Sequence, residues 1–296
     1  MNADFFFSPG YNSPIGWRGK FIFTLHDLNH LRVPDNSNAL KRAYYRHVIR
    51  PACRKAEFVL TVSEYSREEI ATWADIPKEK VINVGNGVGA PFCAAGNKYD
   101  PGYPYLLYVG SHKPHKNLRR LLHAFAISGI ANELRLIISG IPDPTTMADI
   151  DRFGLRGRAE FLALDSTEDL ADAYRGATAF LFPSLYEGFG LPPLEAMACG
   201  VPVLTSNVCS LPEVVGDAAL TISPLDVAAI AEGIRSITTN YPLRISLREK
   251  GIRQARKFSW DETARRTSAV LSIAINRKIA ARQFEPDRTQ DESFAD

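Results

Sequence analysis

Short apolar runs alternate with helical patterns along most of the chain. Runs rich in β-branched and aromatic residues predict strands at FIFTL (21–25) and FVLTV (58–62), with a helical segment between them from Asn38 to Lys55. Beyond residue 104 the runs YLLYVG, LRLIISG, AEFLAL, TAFLFP and VPVLTS follow, with helical patterns between them. Strands that are apolar throughout and alternate with helices predict parallel sheets covered on both faces. The predicted fold class is therefore α/β.

A stretch of small and turn-forming residues, CAAGNKYDPG at 93–102, interrupts this alternation and is the best linker candidate. The capping-box patterns Ser66 to Glu69 and Ser259 to Glu262 predict two helix starts. The predicted units are an amino-terminal Rossmann-like domain (1–98), a doubly wound Rossmann-like domain (99–258), a helix that packs back toward the first domain (259–282) and a disordered tail (283–296).

The composition is that of an ordinary globular protein, with 296 residues, 45% of them hydrophobic and 23% charged. The net charge of +2 is too small for a protein that binds by neutralising many phosphates, so no nucleic-acid partner is predicted. The cysteines at 53, 93, 199 and 209 have no Cys-x-x-Cys spacing, which predicts neither a metal cage nor a disulfide framework.

The sequence predicts a soluble, cytoplasmic protein. No apolar run approaches the ~18 residues that span a bilayer, and Asp4 stands where a secretory signal would need Lys or Arg. One basic segment, residues 40–55, has Lys and Arg interleaved with Tyr44 and Tyr45. Contact with anionic headgroups at the inner membrane face, or with a lipid-linked diphosphate, is one interpretation of this segment, and a solvated helix face is the other.

The stretch FPSLYEGFGLPPLEAMACG, residues 182–200, has the pattern of an anion site. Gly188 and Gly190 allow a tight turn after the strand TAFLF, and Pro192 and Pro193 suit the first positions of a helix. A glycine loop that enters a helix at the carboxyl end of a parallel strand presents backbone N–H groups and the helix dipole to an anion. A diphosphate is the expected occupant.

Glu187 and Glu195 bracket this loop. Carboxylates beside a phosphate site accept hydrogen bonds and therefore suit sugar hydroxyls. In the alternative interpretation Glu195 only complements the helix dipole and Glu187 is a solvated loop residue.

These residues resemble a known family. The stretch resembles the E-x7-E signature of the retaining glycosyltransferases of family 4, with Glu187 and Glu195 as the two glutamates. SNVCSLPEVVGDAA and PYLLYVGSHKPHKN are similar to two further elements of that family, the second of which places Lys116 against the nucleotide diphosphate. TLHDLNH, TVSEYS and VGNGV resemble its His-Asp loop, Val-Ser-Glu segment and Asn-Gly-Val segment, so the resemblance runs to about Phe258.

The resemblance implies a GT-B fold, in which the second domain holds a nucleotide diphosphate sugar and the acceptor enters from the first. Glu187 would bind donor-sugar hydroxyls, Glu195 the ribose hydroxyls, and Lys116 the charge on the leaving diphosphate, so no metal and no separate cofactor are expected. The implied catalytic residues are His26, Lys116 and Glu187, and the implied donor-binding residues are Gly110, Ser111, Lys116, Glu187, Gly188, Phe189, Gly190, Leu191 and Glu195.

Several histidines lie near these motifs. His26 and Asp27 could instead shape a turn at the end of a strand. Ser111 and His112 stand where many family members have an arginine, so Lys116 would act with less help. We expect His112 and His115 to be solvated, because the sequence offers them no evident carboxylate partner.

The implied activity is retaining, metal-independent transfer of a hexosyl unit to a glycan or lipid-linked acceptor in polysaccharide or glycoconjugate synthesis. The resemblance gives a slight preference for mannosyl transfer from GDP-mannose. The family usually has more strand and helix units before DFFFS, so we expect a shortened first domain that exposes apolar sheet surface, self-associates and supports only weak transfer. The rival interpretations are a relative that binds the nucleotide sugar without transfer, and a nucleotide-sugar epimerase or hydrolase on the same fold.

Overall fold

The computed structural model describes residues 5–14, 16–17 and 19–283, with 277–283 described by their backbone alone. In this part of the chain the strands form one four-stranded and one six-stranded sheet, and every pairing is parallel. The α/β class is confirmed. The strands are β1 (Phe5–Ser8), β2 (Lys20–Thr24), β3 (Phe58–Thr61), β4 (Val81–Asn83), β5 (Tyr105–Tyr108), β6 (Arg135–Ser139), β7 (Ala159–Leu162), β8 (Ala179–Phe182), β9 (Val203–Ser206) and β10 (Leu220–Ile222).

Helices connect the strands and cover the sheets. A π-helical segment, Tyr45–Ile49, joins two of them into one continuous helical stretch in the first half. The α-helices are α1 (Asn29–Arg32), α2 (Ala39–Tyr44), α3 (Arg50–Lys55), α4 (Glu64–Ala74), α5 (Leu118–Ile127), α6 (Pro144–Arg152), α7 (Thr167–Gly176), α8 (Leu191–Ala198), α9 (Leu211–Val215), α10 (Val227–Thr239), α11 (Tyr241–Ala255) and α12 (Trp260–Gln283).

The first sheet has the order β1-β2-β3-β4. Its central strands are apolar on both faces: Phe23 and Val59 face the core beneath α3 and α4, and Ile22 and Leu60 face the other side. Strand β1 lies at the edge, where Phe6 and Phe7 are each 36% exposed.

The second sheet has the order β10-β9-β8-β5-β6-β7. The strands that follow β5 in the chain, β6 and β7, are added on one side of it, and those that follow β8, β9 and β10, are added on the other side. In open α/β sheets such a reversal leaves a crevice at the carboxyl ends of the two strands, and ligands bind there. The loops after β5 and β8 contain Lys116 and the glycine loop.

The junction between the halves is coil. The last strand of the first sheet ends at Asn83 and the first strand of the second begins at Tyr105, so the predicted linker at 93–102 lies between the sheets. Helix α12 packs on the first sheet, where Val270 and Ala274 join the cluster formed by Ile22 and Leu60.

The predicted boundary at 98/99 remains a prediction. The predicted tail lies outside the described residues except for Gln283, with which α12 ends.

Helix α4 corrects one predicted start. It begins at Glu64, and its N-cap is Ser63, whose Oγ accepts a hydrogen bond from the amide of Ser66 at 3.0 Å. The expected cap at Ser66 was wrong because Ser63 already has the extended backbone of a cap, which starts the helix three residues earlier.

Candidate active site

The glycine loop lies where the topology predicts a ligand. It runs from the end of β8 to Gly190, which has a φ of +120° and serves as the N-cap of α8. Such a backbone conformation favours glycine. A side chain is also excluded by space, because a Cβ on Gly190 would lie 2.8 Å from Cδ2 of Leu211.

Lys116 and Glu187 form an ion pair across the crevice. Lys116 ends the 3-10 turn Pro114–Lys116 that follows β5, and its Nζ lies 2.6 Å from Oε1 of Glu187. The two side chains are only 18% and 13% exposed, respectively. Ser184 Oγ lies 2.7 Å from the same carboxylate oxygen, and the ammonium group sits 5.3 Å from the ring centroid of Phe182. A cation and an acceptor are thus presented together at the carboxyl ends of β5 and β8.

Buried hydrogen bonds tie the two loops to each other. Asn117 adopts a left-handed conformation with a φ of +64°, and its side-chain amide donates to the carbonyls of Pro183 at 2.9 Å and Pro224 at 2.7 Å. The amide of Leu185 donates to the carbonyl of His115 at 2.7 Å. Because these bonds are short and mostly buried, the position of Lys116 relative to the glycine loop is fixed before any ligand binds.

Glu195 lies in α8 and has a different environment from Glu187. The hydroxyl of Tyr174 in α7 donates to its Oε2 at 3.2 Å. Burial raises the pKa of Glu195, and this hydrogen bond partly opposes the shift. The structure thus places the two predicted glutamates in separate hydrogen-bond groups, one at Lys116 and one at Tyr174.

Four further predicted residues make main-chain or apolar contacts. The amide of Gly110 donates to Ser139 Oγ at 3.0 Å, and the carbonyl of Ser111 accepts from the hydroxyl of Tyr108 at 2.9 Å. Phe189 is buried against Phe258, with ring centroids 5.8 Å apart. Leu191 is the first residue of α8.

The loop after β2 approaches the glycine loop closely. A Cβ on Gly188 would lie 2.6 Å from both Cβ and Oδ2 of Asp27, so only glycine allows this approach. Asp27 also accepts a hydrogen bond from the amide of Asn29 at 2.9 Å, which shapes the turn into α1. The imidazole of His26, beside it, is exposed. The predicted His-Asp loop of the first half therefore faces the glycine loop of the second half.

The start of α4 makes contacts that the sequence did not predict. The hydroxyls of Ser63 and Ser66 donate to the carbonyl of Gly188 at 2.7 and 3.1 Å. Glu213 of α9 accepts from the amides of Glu64 and Tyr65 at 2.7 and 3.0 Å, so it caps a helix of the other half. The only sequence signal was the Val-Ser-Glu segment itself, which says nothing about its partners.

His112 and His115 are not solvated, and that prediction was wrong. The Nδ1 of His112 lies 2.7 Å from Oδ2 of Asp143, and its Nε2 lies 3.0 Å from the carbonyl of Ser139. Burial raises the pKa of Asp143, but hydrogen bonds from Thr146 and His112 outweigh this effect and bring it to about 2. Both ring nitrogens of His112 face acceptors, which leaves neither for a ligand.

His115, in the turn that ends at Lys116, is buried, and its Nδ1 lies 3.4 Å from the side-chain nitrogen of Asn36 in the first half. Burial is the main cause that lowers the pKa of His115 to about 4, and the charges of Lys116 and Lys113 add to it. The ring is thus neutral at neutral pH.

The residues from 94 to 258 match the family model of the group 1 glycosyl transferases, and residues 2–90 match that of glycosyltransferase family 4. The chain belongs to the group 1 glycosyltransferases.

Two relatives from Escherichia coli illustrate the similarity. O-antigen chain mannosyltransferase B is 34% identical over 83% of this chain and 68% of its own length. Serotype-specific mannosyltransferase WbdA is 30% identical over 81% of this chain but only 31% of its own length. The chain thus spans about two thirds of the first relative and less than a third of the second.

Solved structures share the fold. A sucrose-phosphate synthase from Thermosynechococcus elongatus gives a TM-score of 0.74 at 22% identity, over 88% of this chain and 69% of that one. WaaG, a glycosyltransferase involved in lipopolysaccharide biosynthesis, gives 0.65 at 21% identity, over 84% and 73% of the two chains. The predicted GT-B architecture is confirmed.

Proposed function

We propose that this protein transfers a mannosyl unit, with retention, from a nucleotide diphosphate sugar to a glycan or lipid-linked acceptor. The observation that supports it most is the pair of Lys116 and Glu187 beside the glycine loop at the switch point of the second sheet. The names of the mannosyltransferase relatives support the sugar, and GDP-mannose is the donor we favour. Polysaccharide synthesis is the process that the relatives' O-antigen names suggest.

Each part of the pair has a role in this proposal. The ammonium group of Lys116 stabilises the charge that grows on the leaving diphosphate, and the amino terminus of α8 adds its dipole. The carboxylate of Glu187 then exchanges Lys116 for hydroxyls of the donor sugar. Glu195 accepts hydrogen bonds from the ribose, and His26 lies on the acceptor side of the crevice.

The proposed reaction needs no metal. The one Asp-x-Asp sequence near the second sheet, Asp149-Ile150-Asp151, lies on α6, where residues two apart point in different directions. Its two carboxylates are paired with different arginines, Arg119 and Arg156, so they do not face a common metal position. Lys116 and the helix dipole would supply the positive charge that a divalent ion supplies elsewhere.

Mass spectrometry of donor and acceptor tests the proposal. Incubation with GDP-mannose and a mannose-terminated acceptor should add one hexosyl unit to the acceptor and release the nucleotide diphosphate. An altered or hydrolysed donor with an unchanged acceptor would instead indicate an epimerase or hydrolase. Saturable donor binding with both masses unchanged would indicate a binding protein.

The basic segment suits contact with a membrane-linked acceptor. No helix among the described residues has the length and apolar character to cross a bilayer. Arg42, Arg46 and His47 are exposed on the stretch from α2 to the π-helical segment, beside Leu40, which is 79% exposed. We propose that this face binds anionic headgroups. Arg42→Gln with Arg46→Gln should reduce sedimentation with anionic vesicles, whereas equal sedimentation would contradict it.

A further inference from the structure

A cavity lies at the amino ends of the strands of the six-stranded sheet, opposite the glycine loop. Thr178 and Pro202, which precede β8 and β9, contribute to its wall, and its volume is about 370 Å³. The glycine loop follows β8 at the other end. A strand of this length spans roughly 13 Å, so the cavity is separate from the crevice.

Four cationic side chains line this cavity. Arg175 is the buried member: its side chain is 6% exposed, pairs with Asp172, and donates to the carbonyls of Pro91 and Cys93 at 3.2 Å. Arg175 therefore holds the start of the linker against α7. The other cations are Lys98, Arg244 and Arg248, and none of them forms an ion pair with a carboxylate of the described residues.

The helix termini at the cavity do not balance this charge. The carboxyl ends of α7 and α8 reach it through Gly176 and Cys199, and each adds about half a negative charge. Together with Asp172 they offset about two of the four positive charges. A local excess of about +2 remains in a concave site, where cations that repel each other favour a bound anion.

The rim adds apolar surface. Tyr241 and Ile245 of α11 are 63% and 42% exposed, and the guanidinium of Arg244 lies 5.5 Å from the ring centroid of Tyr241. Guanidinium groups bind phosphate in a bidentate manner, while an exposed ring packs against the body of a ligand. We propose that this basic cavity is a binding site for a small phosphate-bearing molecule, distinct from the donor site and independent of the proposed transfer.

Calorimetric titration with inorganic diphosphate and with a hexose 6-phosphate tests the proposal. Lys116→Ala serves as the parent chain, so that phosphate binding at the glycine loop is weakened. The parent should bind at least one probe at a stoichiometry of one. Adding Arg244→Gln and Arg248→Gln should weaken that binding at least ~10-fold, since each charge-assisted contact is worth about a factor of ten or more. Tighter binding of diphosphate would indicate an inorganic phosphate ligand, and tighter binding of the hexose 6-phosphate would indicate a phosphate ester.

The controls separate binding from folding. Arg253→Gln, on the same helix but outside the cavity, should leave the affinity within about twofold of the parent, because it removes charge without removing a contact. Lys98→Gln changes an exposed linker residue, so we expect the fold to be unaffected while binding weakens. A parent that binds neither probe at millimolar concentration would overturn the proposal, as would equal affinity in the Arg244 and Arg248 double variant.

Discussion

The Nζ of Lys116 and the Oε1 of Glu187 lie 2.6 Å apart although the two residues are 71 positions apart in the sequence. The pair means that the cation assigned to the diphosphate is neutralised in the free protein. In the proposed binding mode a donor would have to break this ion pair: its phosphate would bind Lys116 and its sugar would bind Glu187. The net gain in binding free energy would then depend on both new contacts.

Replacement of Lys116 should affect binding and rate together. Lys116→Ala removes a charge-assisted contact worth about 1.5–3 kcal/mol, so the affinity for a nucleotide diphosphate should fall ~10- to 100-fold. Turnover should fall by ~10² or more if the ammonium stabilises the leaving group. Lys113→Ala, an exposed lysine in the same loop, is the matched control. Unchanged affinity and turnover in Lys116→Ala would remove the residue from the mechanism.

Replacement of the two glutamates should weaken the binding of different ligands. Glu195→Ala should weaken the free nucleotide diphosphate, because its proposed partner is the ribose. Glu187→Ala should leave the affinity for the free nucleotide unchanged or slightly higher, since it frees Lys116. It should lower the affinity for the intact nucleotide sugar or the rate of transfer. Titration of both ligands against both variants decides the assignment. Equal losses of free nucleotide in the two variants would contradict it.

Transfer should persist without divalent ions. Activity in excess chelator is expected to match that of the untreated enzyme within about twofold, because in the proposed mechanism Lys116 and the helix dipole supply the positive charge. The assay is repeated with added magnesium and with added manganese. Loss of activity in chelator that either ion restores would refute this site chemistry.

The buried imidazole of His115 predicts a loss of stability in acid. Its pKa is about 4 in the folded chain and about 6.5 when unfolded, so the unfolded state binds the extra proton between these values. Stability from this group is complete above pH 6.5 and declines as the pH falls toward 4. These two pKa values correspond to a destabilisation of at most about 3 kcal/mol near pH 4, so His115→Gln should reduce that decline by ~1–3 kcal/mol, a shift of several degrees in the unfolding midpoint. Identical pH profiles of the two proteins in thermal unfolding would show that the group does not titrate in this way.

The edge of the first sheet predicts self-association. Strand β1 is an edge strand, and both Phe6 and Phe7 are 36% exposed there. Among the described residues β1 pairs only with β2, and exposed aromatic side chains on such an edge favour pairing with a second copy. Light scattering should therefore report a mass that rises with concentration, and Phe6→Lys with Phe7→Lys should abolish that rise. A monomer at all concentrations would contradict the expectation.

Local patterns predicted the strands and helices that bury long apolar runs. Strand β10 was missed because it has only three residues, and α9 because its five are too few to show a helical period. The glycine loop was found because its glycines, prolines and strand are contiguous. The pairing of Lys116 with Glu187 was not predictable, since it depends on which strands become neighbours.

The carbonyl of Gly188 accepts from both Ser63 and Ser66, and Glu213 binds the backbone amides of Glu64 and Tyr65. At each of these links one partner is a main-chain atom. These four hydrogen bonds therefore do not depend on the side chains of the glycine loop, whereas a further contact does: the hydroxyl of Tyr186 donates to Glu69 at 2.6 Å and accepts from the amide of Leu28 at 3.2 Å. Exchange of loop residues other than Tyr186 and Gly188 should therefore leave the contacts between the halves in place, whereas Ser63→Ala with Ser66→Ala should weaken those contacts without changing any side chain proposed to bind the donor.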